Sequence, residues 1–218
     1  MAAYTSPWPS QDINDALNQW LDSEAGALVG WALRAVESLH YLADVDAAVF
    51  TNLERPTMGH PEQAVDTGHV RWACVSAITA LDLCAGAIWR LSKAEAGTKR
   101  PPDATGASLR WLDPSEKGTA KRRGRVSAAR LAWVDRVTAD LEYSIVLTAR
   151  NPLTHARTTQ RNYSGNVPAT PHAYRSDYHL RTRQGKGLEV SSRDLIEKAV
   201  SLATTHVESF IQDVVLVP

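Results

Sequence analysis

The thirty residues VSAARLAWVDRVTADLEYSIVLTARNPLTH, Val126 to His155, carry most of what this chain says about its fold. Trp133, Val134, Val137, Leu141, Ile145 and Thr148 recur at one-, three- and four-residue steps, the repeat of one face of an α-helix. The spacing predicts a helix over about 126–148 with that face on a core. Pro152 then intervenes. Proline has no N–H to donate and pushes the residue before it out of the α region, so Asn151 suits an N-cap and Pro152 the first position of a new short helix. A kinked but continuous helix is the alternative.

Working outward, the same periodicity predicts further helices. Ser10 caps a short one over 11–21, and a longer one runs from Glu24 to about Phe50 with Leu28, Trp31, Ala35, Leu39 and Leu42 as its core stripe. Glu37 and His40 sit beside that stripe as structural or exposed groups. Residues 52–61, with Pro56, Gly59 and Pro61, read as a connection. A third helix covers about 61–93, with a possible interruption at Gly68. Its core positions are Val70, Ala73, Ile78, Leu81, Ile88 and Leu91, and Trp72 and Trp89 add bulk at its sides. Asp82 falls among Ala, Leu and Cys and needs a partner there, for which Arg150 or a nearby arginine would serve.

Residues 96–124 contain Gly97, Pro101, Pro102, Gly106, Pro114, Gly118 and Gly124, and predict an exposed, mobile, basic loop. Residues 158–177 are polar and loop-like. Tyr178–Arg183 and Leu188–Val190 flank a glycine-rich turn and predict a β-hairpin. Ser191 to Asp194 form a capping box that opens a last helix reaching about Val214, with Leu195, Val200 or Leu202, His206, Phe210 and Val214 along one side. His206 on that side reads as a satisfied core histidine. The expected fold is therefore all-α, about five helices in one domain over 1–218, with a small hairpin before the C-terminal helix.

With 218 residues, 44% hydrophobic and 22% charged, the chain suits a single globular core. No apolar run approaches the roughly 20 residues of a membrane span, and the first residues lack a signal peptide's basic and apolar regions, so a cytoplasmic protein is expected. Cys74 and Cys84 lie ten apart on one predicted helix, about 80° around it at 100° per residue, which implies neither a disulfide framework nor a metal site.

The net charge is zero, but its distribution is uneven. Between Lys117 and Arg161 stand ten basic residues against three acids, Asp135, Asp140 and Glu142. Lys121, Arg122, Arg123 and Arg125 form the densest part of this excess, and suit either a solvated loop or a patch that tracks phosphates.

Arg150, Asn151 and His155 place a guanidinium, a carboxamide and an imidazole within one turn or so of chain. Arginine clamps phosphate with a planar fork of donors, and histidine takes and gives protons near neutrality. In the N-capped geometry, free N–H groups and the positive helix end favour an anion and a neutral imidazole. The segment Arg150-Asn-Pro-Leu-Thr-His155 resembles the Arg-x4-6-His signature of HEPN domains, in which Asn after the Arg is the commoner form. That resemblance implies a helical homodimer acting as a metal-independent endoribonuclease, without cofactor, as a toxin or defence effector that an antitoxin or another defence protein restrains. Arg150, Asn151 and His155 would be its catalytic residues, with Arg157, Lys121, Arg122, Arg123 and Arg125 holding RNA. HEPN toxins paired with a nucleotidyltransferase antitoxin carry Tyr two residues after the His, where this chain has Arg157. A non-catalytic HEPN module that binds a nucleotide or a partner protein is the alternative reading.

Overall fold

The computed structural model describes residues 24–51, 60–95, 108–154, 161–162, 177–181 and 187–215. The helices are α1 (Glu24–Thr51), α2 (His60–Glu95), α3 (Ala120–Arg123), α4 (Ala128–Ala139), α5 (Leu141–Thr154) and α6 (Ser192–Phe210). A 3-10 turn spans Leu109–Trp111 and a π turn, Ile211–Val215, extends α6. The strands are β1 (Arg161–Asn162), β2 (Asp177–Arg181) and β3 (Gly187–Ser191). The chain is all-α in class with a small sheet before its last helix, as the periodicity predicts. The helix expected over 11–21 lies outside the described residues.

Contacts gather into two compact units, neither of them one continuous stretch. The first comprises Met1–Glu37, Thr79–Asp140 and Ala203–Pro218. Its core includes Val29, Ala32 and Val36 of α1, Leu81 and Ile88 of α2, and Trp133, all at most 0% exposed. The Trp133 ring meets Phe210 edge-on with centroids 5.0 Å apart, and its indole N–H donates to the His206 carbonyl at 2.9 Å. A buried indole with its donor satisfied combines a large apolar area with no desolvation penalty.

The second unit comprises Ser38–Ile78 and Leu141–Leu202. Here His69 Nδ1 lies 2.9 Å from Asp46 Oδ1, joining α2 to α1, and the Ser192 hydroxyl donates to Asp66 Oδ2 at 2.5 Å, joining α6 to α2. Strand β2 pairs antiparallel with β3, Tyr178 opposite Val190 and Leu180 opposite Leu188. Tyr178, Leu180 and Val190 are buried, so the paired strands present one face to the core. Ser191 caps α6 as the capping box requires, accepting the Asp194 N–H at 3.1 Å.

Several expectations are corrected. The helix expected over 126–148 is two helices, α4 and α5, parted at Asp140, whose φ of −68° and ψ of 131° are extended. This resets the buried face: Leu141 is 58% exposed, while Tyr143, Val146 and Leu147 are buried in its place. On α1 the stripe is turned. Trp31 is 59% exposed beneath Arg34, whose guanidinium carbon lies 5.1 Å from the ring centroid, and small residues such as Ala25 and Ala32 fill the core. Helix α2 runs through Gly68 without a break. Arg161 and Asn162, expected in a loop, pair with Tyr178 and Asp177.

Helix α2 also corrects the reading of apolar length. Val65–Ser92 is a 28-residue stretch long and apolar enough to cross a membrane, with 67% of its most apolar window buried in the protein.

Candidate functional site

Residues 108–124 are built around carboxylates. Asp82 Oδ1, on α2, accepts the Leu109 N–H at 2.7 Å and the Ser108 hydroxyl at 3.0 Å, pinning the start of the 3-10 turn. Leu109 and Leu112 bury their side chains behind it. Asp113 Oδ1 then accepts the Ser115 N–H at 2.9 Å and its hydroxyl at 2.6 Å, the local bonding that makes Asp a turn residue. Gly118 takes a φ of 78°, a conformation that favours glycine, and the Thr119 hydroxyl donates to the Glu116 carbonyl at 3.1 Å. The loop predicted as exposed over 96–124 is thus anchored and partly buried over 108–124; its remainder, 96–107, lies outside the described residues.

The basic residues follow this scaffold. Arg123 turns inward, donating to the Leu112 carbonyl at 2.7 Å and pairing with Asp135 at 2.8 Å. Lys121, Arg122 and Arg125 instead line a cleft of about 220 Å³ together with Trp89 and Trp111. Arg122 lies over the Trp111 ring, its guanidinium carbon 5.1 Å from the centroid. Trp89 is 6% exposed and forms a buried wall. None of Lys121, Arg122 and Arg125 meets a carboxylate among the described residues. Arg110, Arg123 and Arg136 do, pairing with Glu116, Asp135 and Asp213 respectively.

Of the four basic residues expected to hold RNA here, the structure brings three to one cleft and commits Arg123 to an ion pair. Trp111, a ring the cations needed, went unremarked in the sequence, as did Trp89 beyond its bulk. The available signal was Leu109 and Leu112 in a glycine- and proline-rich stretch, flanked by Asp113-Pro-Ser115.

The motif of Arg150 and Asn151 lies in the other unit, on the last turn of α5. The helix continues through Pro152 to Thr154, so the continuous alternative is the one adopted. Arg150 is half-buried and Asn151 exposed. The consequence for anion binding is direct: a helix end reached from its C-terminal side presents carbonyls and negative dipole, not free N–H groups. Asn151 therefore does not cap a helix N-terminus, and the phosphate site expected there is not formed by free N–H groups. His155 and Arg157 lie outside the described residues.

His206 is 7% exposed, with Nε2 2.8 Å from Asp140 Oδ2, a core histidine with its partner. Cys74 and Cys84 are free and buried. Among the described residues no three His, Cys, Asp or Glu side chains gather to hold a metal ion.

Comparison with protein-family models, with curated proteins and with solved structures finds no match to this chain.

Proposed function

We propose that this protein is an RNA-binding endoribonuclease of the HEPN kind, cleaving by attack of the ribose 2′-hydroxyl without a metal. The observation that carries the RNA half of this reading is the gathering of Lys121, Arg122 and Arg125, which meet no carboxylate among the described residues, around two tryptophans. Among the described residues the fold pairs Arg110, Arg123 and Arg136 with acids and gathers these three cations in one cleft, where an anion would relieve their mutual repulsion. The catalytic half rests on the Arg150–His155 motif. His155 moves the proton, Arg150 stabilises charge growing on the phosphoryl oxygens, and Asn151, exposed beside Arg150, holds a phosphate oxygen or the imidazole. One histidine cannot easily serve as both base and acid in a single in-line displacement, so a homodimer sharing two motifs completes the site. The protein would act in the cytoplasm as a toxin or defence effector, with an antitoxin or another defence protein as its restraint.

A second reading, a nucleotide- or partner-binding HEPN module without cleavage, is favoured by one observation. Helix α5 reaches the motif with its carbonyl end, which removes the N–H donors that would have helped hold a phosphate. Incubating labelled single-stranded RNA with the protein and with His155→Ala, both in excess chelator, separates the two. Cleavage by the parent alone, leaving a 2′,3′-cyclic phosphate and a 5′-hydroxyl, supports the enzyme; equal products from both proteins, or none from either, sink it.

A further inference from the structure

We propose that the cleft framed by Trp89, Trp111, Lys121, Arg122 and Arg125 takes one unstacked nucleobase with its flanking phosphate, so that RNA is held as a single strand. The choice of RNA rests on the proposed function above; the choice of base plus phosphate rests on the cleft alone.

Two properties of the cleft point to this chemistry together. Its walls are indole, with Trp89 buried and Trp111 half-buried, which suits a flat apolar ring and gives nothing to a bare phosphate. Its rim is cationic, Lys121 and Arg125 exposed and Arg122 stacked on Trp111, which suits an anion and gives little to a purely apolar ligand. Base stacking on an aromatic ring beside backbone-tracking cations is how sequence-tolerant single-strand binders work, and an arginine plane itself stacks on bases. A duplex hides the base faces on which this depends.

Size narrows the ligand further. At about 220 Å³ the cleft is below the roughly 300 Å³ at which pockets for drug-sized molecules begin, a size that suits one base. A free nucleotide offers the same base and phosphate. The strand differs in bringing neighbouring phosphates, which the exposed Lys121 and Arg125 are placed to meet at the rim.

The test uses the full chain and a single-stranded oligonucleotide with 2′-O-methyl riboses, which cannot be cut by 2′-hydroxyl attack, carrying one 2-aminopurine whose fluorescence falls on stacking. Saturable quenching is expected, with little from the same strand in a duplex and much weaker binding of adenosine monophosphate. Trp111→Leu should weaken binding about tenfold or more, the size of one lost stacking contact. Lys121→Gln with Arg125→Gln, both exposed and clear of the core, should lower the slope of log affinity against log salt by about 1.4, roughly 0.7 for each lost contact. Absent quenching, or quenching with an unchanged salt slope in the double variant, overturns the proposal whether or not Trp111→Leu folds. Adenosine monophosphate binding as tightly as the strand overturns the single-strand assignment. Quenching by a protein that never cleaves RNA would sink only the enzyme reading, and cleavage without quenching only this one.

Discussion

Nε2 of His206 lies 2.8 Å from Oδ2 of Asp140, the extended residue at which the chain turns from α4 into α5. One carboxylate therefore satisfies a buried imidazole on α6 and sits at the break that sets the buried face of α5. The same histidine's carbonyl takes the Trp133 indole N–H, so a ring at the centre of the first unit depends on the same stretch of α6.

Asp140→Ala leaves His206 buried without this partner, a loss of about 1.5–3 kcal/mol for a hydrogen bond to a charged group. Urea unfolding should show a lower midpoint at an unchanged slope. Asp140→Asn keeps an acceptor and should fall between the two. A midpoint for the alanine variant equal to the parent's would mean the pair contributes nothing.

Asp82 offers a link from stability to function. Its carboxylate holds the Leu109 N–H and Ser108 hydroxyl, and two residues further on stands Trp111. Asp82→Ala should cost about 1–3 kcal/mol through the buried groups it leaves unmet, and should also weaken single-strand binding because the 3-10 turn that presents Trp111 loses its anchor. Asp82→Asn should recover part of both. Weakened unfolding resistance with unchanged binding would show that the turn keeps Trp111 in place without Asp82.

How much of this was legible follows the range of the forces involved. The ends of α1 and α2 were readable to within two residues or so because period and flanking glycine and proline act locally. The buried side of α1 was not: Trp31 drew the stripe toward itself, whereas close packing favoured Ala25, Val29 and Ala32. The break at Asp140 has no glycine or proline to announce it, and its partner His206 is 66 positions away. Pro152, which does announce a break, lies inside the described span of α5. At the candidate site the cluster of cations was visible in the sequence. Which cation is neutralised was not, because Arg123 and Asp135 meet only across the folded turn.

Burial alone sets the chemistry of the two cysteines. Desolvation pushes the Cys74 thiol up to about 12 and raises Cys84 as well. In the unfolded chain both titrate near the ordinary value of about 8.5. A raised folded pKa means stability fully present below that value and lost as pH climbs above it, by at most about 1.4 kcal/mol per pH unit for each thiol. Native protein at pH 8 should resist a thiol-specific chromogenic disulfide, and denatured protein should react at both sites. Cys74→Ala with Cys84→Ala should flatten the decline in stability between about pH 8.5 and 10. Fast modification of native protein would contradict the buried placement.

The last prediction concerns Pro152, the twelfth position of a fourteen-residue helix. There it supplies no N–H to the carbonyl four residues back, on Thr148. Thr148 already bends its hydroxyl to the Ser144 carbonyl at 2.7 Å, so this turn of α5 carries side-chain bonding of its own. Proline in a helix interior is about 3 kcal/mol worse than alanine, and less than that near an end. Pro152→Ala should therefore stabilise the protein, by about 1 kcal/mol, and should raise the thermal midpoint. If Asn151 instead capped a new helix with Pro152 at its first position, the ring would be preorganised there and the same substitution would be neutral or destabilising. Melting the variant beside the parent distinguishes a helix that runs through the motif from one that begins at it.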